Sequence, residues 1–235
     1  MHVVPDLAPT SASGGGAKDA AVVGRGIVAE LASVVSGVTE MIARRMDGDN
    51  VVDAWGADDD IIDLIIPMTT LRLAVRVERP GALPLYGPCV IVANRRFGIS
   101  EPFVVLRAVR QATGRRARFL GIPDLPVVAT VMRRLGGAVD RPDELAGLLR
   151  AGNVVMEYLE PRFERGQAGM LLPEKLQAAL DLDVPVVPMA LIGGEITGRW
   201  TVRIGDPVVR PAGRTPFSLS LLADAAQSGV QALLR

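Results

Sequence analysis

The 235 residues (24.9 kDa) suffice for one sizeable α/β domain, or a domain with an appendage, and 49% apolar content supplies a real core. The 26 basic and 26 acidic side chains cancel, which excludes a globally basic nucleic-acid binder. The single cysteine, Cys89, excludes an internal disulfide framework or a Cys-rich zinc site, and the single histidine, His2, excludes most imidazole chemistry from the body of the chain.

Residues 1–17 are rich in Pro, Ser, Thr and Gly and read as a disordered tail. Across 18–50, Val23, Ile27, Leu31, Val34, Val38, Met41 and Ile42 recur at helical spacing, with Arg25, Glu30, Glu40 and Arg44 opposite them, before a stop at Asp47-Gly48-Asp49-Asn50. This N-terminal helix could pack on the core or a second subunit, or lie on a membrane surface, although its polar face is not strongly basic. Residues 51–235 form the main α/β domain. Its first helix is expected to open near Asp58-Asp59-Asp60, where carboxylates suit the positive helix end, and to be interrupted at Pro67.

Leu71–Val77 alternates as a strand, and Cys89–Ala93 is a short apolar run of buried-strand type. A helix is predicted over Glu101–Thr113, a strand over Ala117–Leu120, and helices over Val128–Leu135 and Pro142–Ala151. Val154–Leu159 and Pro185–Leu191 read as buried strands with a helix, Glu174–Ala179, between them. Arg199–Ile204 is a late strand, and Ser218–Leu234 a closing helix. Strands alternating with helices argue for an α/β fold, a sandwich or a doubly wound sheet.

Mean hydropathy is +0.30, so a membrane span has to be considered. The run Val184–Gly194 falls well short of the roughly 20 apolar residues a span needs, and Ile61–Val75 is broken by Asp63 and Arg72. No basic start followed by an apolar stretch marks a secretory signal. The expectation is a cytoplasmic protein, with contact at a membrane surface left open.

Charge is unevenly spread. Residues 1–63 hold four basic and eleven acidic side chains, net −7, whereas 95–141 hold ten arginines against Glu101, Asp124 and Asp140, net +7. Such an arginine region suits an anionic ligand, a solvated face, or pairing with the acidic N-terminal part.

Gly87-Pro-Cys-Val-Ile-Val-Ala-Asn94-Arg-Arg followed by Pro102 resembles the first block of the glycerolipid (lysophosphatidate-type, 1-acylglycerol-3-phosphate) acyltransferase family. Later segments are similar to that family in the right order. Arg118–Pro123 and Leu135-Gly-Gly-Ala-Val-Asp140-Arg141 resemble the second block, Asn153–Arg162 the third, and Val184-Pro-Val-Val-Pro188-Met-Ala the fourth; Val52-Asp-Ala-Trp55-Gly56 is similar to a lead-in of some branches. The resemblance spans roughly 53–210. It implies a mixed β-sheet flanked by helices, no cofactor or metal, and acyl transfer from acyl-CoA or acyl carrier protein (acyl-ACP) to a lysolipid or glycerol phosphate. In that chemistry a His takes the acceptor's proton and an Asp five residues on holds the imidazole.

Here the position implied for the His carries Arg95, or Arg96 if the loop slides by one, and the Asp position falls on Ser100 or Glu101. Arginine stays protonated and cannot act as a base. The third block reads Glu160-Pro161-Arg162-Phe163, with Pro replacing a Gly beside the acceptor phosphate. Asp140-Arg141 keeps the form of the second block. Three readings follow. One is a degenerate homologue holding a lipid or acyl ligand, with Arg95, Arg96, Arg141 and Arg162 as an anion-binding cluster. Another is an active acyltransferase using Glu101 or Glu160 as base. The third is a scaffold or regulatory subunit that assembles with itself or with an active relative.

Overall fold

In a computed structural model of the chain, the structure describes residues 52–235 apart from 71, 97, 99, 162–165, 212 and 214. The expected tail and N-terminal helix, and Arg162, lie outside the described residues.

Among the described residues seven strands form one sheet: β1 (Ala74–Glu78), β2 (Cys89–Ala93), β3 (Ala117–Leu120), β4 (Gly137–Ala138), β5 (Val154–Tyr158), β6 (Val186–Gly194) and β7 (Arg199–Ile204). Their spatial order is β1-β7-β6-β2-β5-β3-β4, all neighbours being parallel except the antiparallel pair β6–β7. Among the described residues six helices flank the sheet: α1 (Asp59–Thr70), α2 (Glu101–Thr113), α3 (Pro126–Arg134), α4 (Pro142–Arg150), α5 (Gln177–Asp181) and α6 (Ser218–Leu233). Single 3-10 turns lie at Pro80–Ala82 and Pro173–Leu176. The expected mixed α/β architecture is what the chain adopts.

The central strand β2 is buried at every position, which explains its unbroken apolar run: both faces of a parallel sheet are covered. Ile91, Ala93, Met156 and Met189 pack with Ile62 and Ile66 of α1 and with Val104, Val105 and Ala108 of α2. Val90, Val92 and Val155 pack on the other side with Leu145 and Leu148 of α4 and with Leu222, Ala226 and Val230 of α6. Burial on this scale, at roughly 25 cal/mol per Å² of apolar surface, is the main term holding the three layers together. α2 ends at Gly114, whose left-handed φ of 69° lets its N–H reach the Arg110 carbonyl at 2.9 Å.

Several expectations need correction. α1 is not interrupted at Pro67 but runs on to Thr70. A proline removes one N–H from the helix ladder, and here Ile62 and Ile66, both packed in the core, hold the segment helical around it. β1 begins at Ala74 rather than Leu71, because Arg72 and Leu73 form the turn after α1, with the Leu73 N–H bonded to the Thr69 carbonyl at 2.7 Å. The helix expected over Glu174–Ala179 is a 3-10 turn followed by α5. Among the described residues no helix is long and apolar enough to cross a membrane.

The charge asymmetry is largely settled inside the fold. Arg110 pairs with Asp63 at 2.5 Å, Arg116 with Asp59 and Asp63 at 2.6 Å each, Arg134 with Asp58 at 3.2 Å, and Arg118 with Asp53. Four of the ten arginines therefore neutralise the acidic lead-in, while Arg95 and Arg96 are among the six outside that network.

Candidate functional site

Parallel strands deliver their C-terminal ends to one rim, and in open α/β sheets ligands bind in the crevice there, near the point where successive connections leave to opposite sides. β2 is such a point, lying between β6 and β5. The residue after it, Asn94, is 2% exposed and bonds across to β6: its Nδ2 donates to the Leu191 carbonyl at 3.0 Å, and its Oδ1 accepts the Leu191 N–H at 2.7 Å. This clasp fixes where the following loop leaves the sheet.

Arg95 comes next. It is exposed, with its guanidinium carbon 5.3 Å from the centre of the Tyr158 ring at the end of β5, a cation–π distance. Arg96 turns the other way and donates to the Gly193 carbonyl at 3.1 Å. Glu101, the first residue of α2, is 2% exposed and its Oε1 accepts the Gly98 N–H at 2.7 Å. Burial pushes its carboxyl above the ordinary range; the backbone N–H groups of Gly98 and Arg96 and the charge of Arg95 pull it back. The loop is also held from β6–β7, where Glu195 Oε1 accepts the Ser100 N–H at 2.6 Å and the Ser100 hydroxyl at 2.7 Å.

Arg95, Tyr158, Gly98 and Pro102 line a cavity of about 420 Å³ whose remaining walls include Phe119, Ile122, Pro123 and Met132. The Tyr158 hydroxyl is buried without a hydrogen-bond partner among the described residues. Burial raises its pKa well above the ordinary value, so it stays protonated and able to donate.

A second neighbourhood lies on the opposite face of the same strand end, since adjacent side chains of a strand point to opposite sides. Glu157 is 2% exposed and accepts from Lys175 Nζ at 2.8 Å. Lys175 also meets Asp140 at 3.0 Å and Glu160 at 3.5 Å. With Asp140, Arg141, Leu145 and Leu172 it borders a smaller cavity of about 240 Å³. Arg141 itself is paired with Asp124.

The residues singled out in sequence thus divide into two groups. Arg95 and Glu101 share the first cavity's neighbourhood, with Arg96 tied to β6 beside it. Arg141 and Glu160 gather around Lys175, where Arg141 borders the second cavity. Tyr158, Lys175, Glu157 and Glu195 were not singled out. Glu157 left a signal, a lone carboxylate within the apolar run Val154–Leu159, but Lys175 left none because its partners arise only from folding.

The Arg95 cavity therefore offers a permanent positive charge, a buried phenol and apolar walls, and the chain's one histidine lies outside the described residues. Such a set can hold an anion with an apolar tail. No protein-family model matches the chain, and no curated protein matches it. Among solved structures, the chain is similar to the 1-acyl-sn-glycerophosphate (LPA) acyltransferase PlsC from Thermotoga maritima, with a TM-score of 0.53 and 20% identity over 71% of this chain and 75% of that one. The likeness establishes the fold: a mixed sheet flanked by helices, of the kind that acyltransferase adopts.

Proposed function

We propose that this protein is a degenerate acyltransferase homologue that binds a lipid or acyl ligand at the rim where the family's catalytic loop would lie. One observation carries the reading: Arg95 follows the Asn94 clasp at the end of β2, where the resemblance implies a histidine, and lines an apolar-walled cavity with Tyr158. A guanidinium cannot take a hydroxyl proton, but it holds carboxylate or phosphate oxygens well. Acyl-CoA, acyl-ACP and lysolipids are the ligand classes to examine, met by a cytoplasmic protein at the membrane surface. Arg95 is the leading anion contact; Arg96, Arg141 and Arg162 are secondary ones.

The test is thioester release from a panel of acyl-CoAs, with and without lysophosphatidate, combined with mass spectrometry of lipids retained by the purified chain. A retained lipid with no release, lost on Arg95→Glu, is the expected result. Retention unchanged by Arg95→Glu would overturn the site, and absence of both release and lipid would favour a scaffold role.

A second reading keeps catalysis, with Glu101 as base, and is favoured by the burial that raises its carboxyl. Acceptor-dependent release that disappears in Glu101→Gln would establish it. Glu160 is the weaker base candidate because its exposed carboxylate faces Lys175 rather than the Arg95 cavity.

A further inference from the structure

Within the reading above, on which this inference rests, we infer that the Arg95 cavity takes the carboxylate of a free fatty acid, with the alkyl chain along Phe119, Ile122, Pro123 and Met132, rather than a phosphorylated headgroup. Two donors of different kinds occupy its wall. Arg95 makes no hydrogen bond or ion pair to other described residues, and Tyr158 carries a buried hydroxyl with nothing to donate to. A buried hydroxyl is ordinarily paired, so an orphaned one on a residue that lines the cavity, covered while Arg95 lies over its ring, marks a place for an acceptor once Arg95 moves aside. The exposed Arg95 side chain, lying over the Tyr158 ring, can swing to admit the headgroup and close on it.

Charge selects among anions. Arg96 is tied to the Gly193 carbonyl and Arg141 is paired with Asp124, so among the described residues one guanidinium, that of Arg95, lines this cavity. The buried Glu101 acts electrostatically on both Arg95 and Tyr158. A phosphomonoester dianion feels that carboxylate twice as strongly as a monoanion does, and it requires more than one cation for balance. A carboxylate matches a single guanidinium fork and one phenolic donor. Among the described residues the remaining walls carry no further charge, and apolar walls with a few polar anchors are the usual form of a lipid pocket.

The test is calorimetric titration of the full chain with dodecanoate, dodecyl phosphate and lysophosphatidate, repeated on Tyr158→Phe and Arg95→Ala. Tyr158→Phe removes only an unpaired oxygen and Arg95 is exposed, so both variants should fold, as unfolding curves would verify. Dodecanoate should bind at least tenfold more tightly than dodecyl phosphate, and each variant should weaken it about tenfold, the value of one hydrogen bond to a charged group. Equal or tighter binding of dodecyl phosphate, or dodecanoate binding unchanged in Tyr158→Phe, overturns the inference. Arg95-dependent lysophosphatidate binding without dodecanoate binding would refute the fatty acid while leaving the lipid-binding function intact. Failure of all three ligands to bind would refute both.

Discussion

Replacing Glu157 by glutamine should change how stability depends on pH, by an amount the structure sets. Glu157 Oε1 accepts the Tyr158 N–H at 3.1 Å and Lys175 Nζ at 2.8 Å, whereas Oε2 is buried with no partner among the described residues. Burial therefore outweighs the attraction of Lys175 and pushes the carboxyl from 4.5 up to about 7. At ~1.4 kcal/mol per tenfold change in proton affinity, the folded state's tighter hold on this proton is worth about 3 kcal/mol. The folded pKa lies above the unfolded one, so this stability is fully present below about pH 4.5 and is lost as pH rises through about 7. Glutamine keeps the shape and has no proton to lose. Urea unfolding of both proteins from about pH 4 to about pH 8 exposes the effect, because carboxylates away from the Lys175 cluster contribute equally to both. The parent should lose about 3 kcal/mol relative to Glu157→Gln across that window. Parallel stability curves would refute the reasoning.

Asn94→Ala strips the partners from both the N–H and the carbonyl of Leu191 in a buried strand, and should cost about 3 kcal/mol in denaturant unfolding; a loss under ~1 kcal/mol would show that the clasp is dispensable. Gly193→Ala places a methyl 2.1 Å from the Arg199 carbonyl oxygen at a φ of +130°, so Tm should fall by an amount equivalent to at least ~2 kcal/mol. Gly194→Ala, whose added methyl meets nothing within 4 Å, should stay near neutral, and equal effects would contradict the packing argument. Cys89 is fully buried, with burial pushing its thiol up to about 12, so a thiol reagent should label it only as fast as the core opens. Immediate labelling of the native protein would show that β2 is accessible.

Sequence patterns reveal those elements whose own residues carry the reason for their structure. β2 is written in its uninterrupted apolar run, α2 in a helical stretch ending at Gly114, and β7 in strict alternation from Arg199 to Ile204. β4 has only two residues, Gly137 and Ala138, and exists because Phe119 and Leu120 lie alongside, a cause no local pattern contains. The same limit applies at the rim of the sheet. Asn94-Arg95-Arg96 and Glu101 are legible as a departure from the family motif, because they are contiguous. The division of the arginines is not, since it depends on Asp53, Asp58, Asp59, Asp63 and Asp124 arriving from other parts of the chain. Tyr158 reads as one more apolar residue of a buried strand until its ring is found beneath Arg95.

The pairing of β1 with β7 sets the order in which the sheet can be completed. Ala74 is partnered with Arg199, 125 residues further along, and β2 likewise waits for β5 and β6. At a ribosomal rate of ~5–20 residues per second, β1 emerges about 6–25 s before its neighbour among the described strands exists. During that interval it is an unpaired strand, and Arg76 and Glu78 keep it charged and solvated rather than available to a neighbouring nascent chain. The pairings therefore become available from the β3–β4 edge toward β1, with β5, β6 and β7 following in turn, and the first strand of the sheet is the last to be joined.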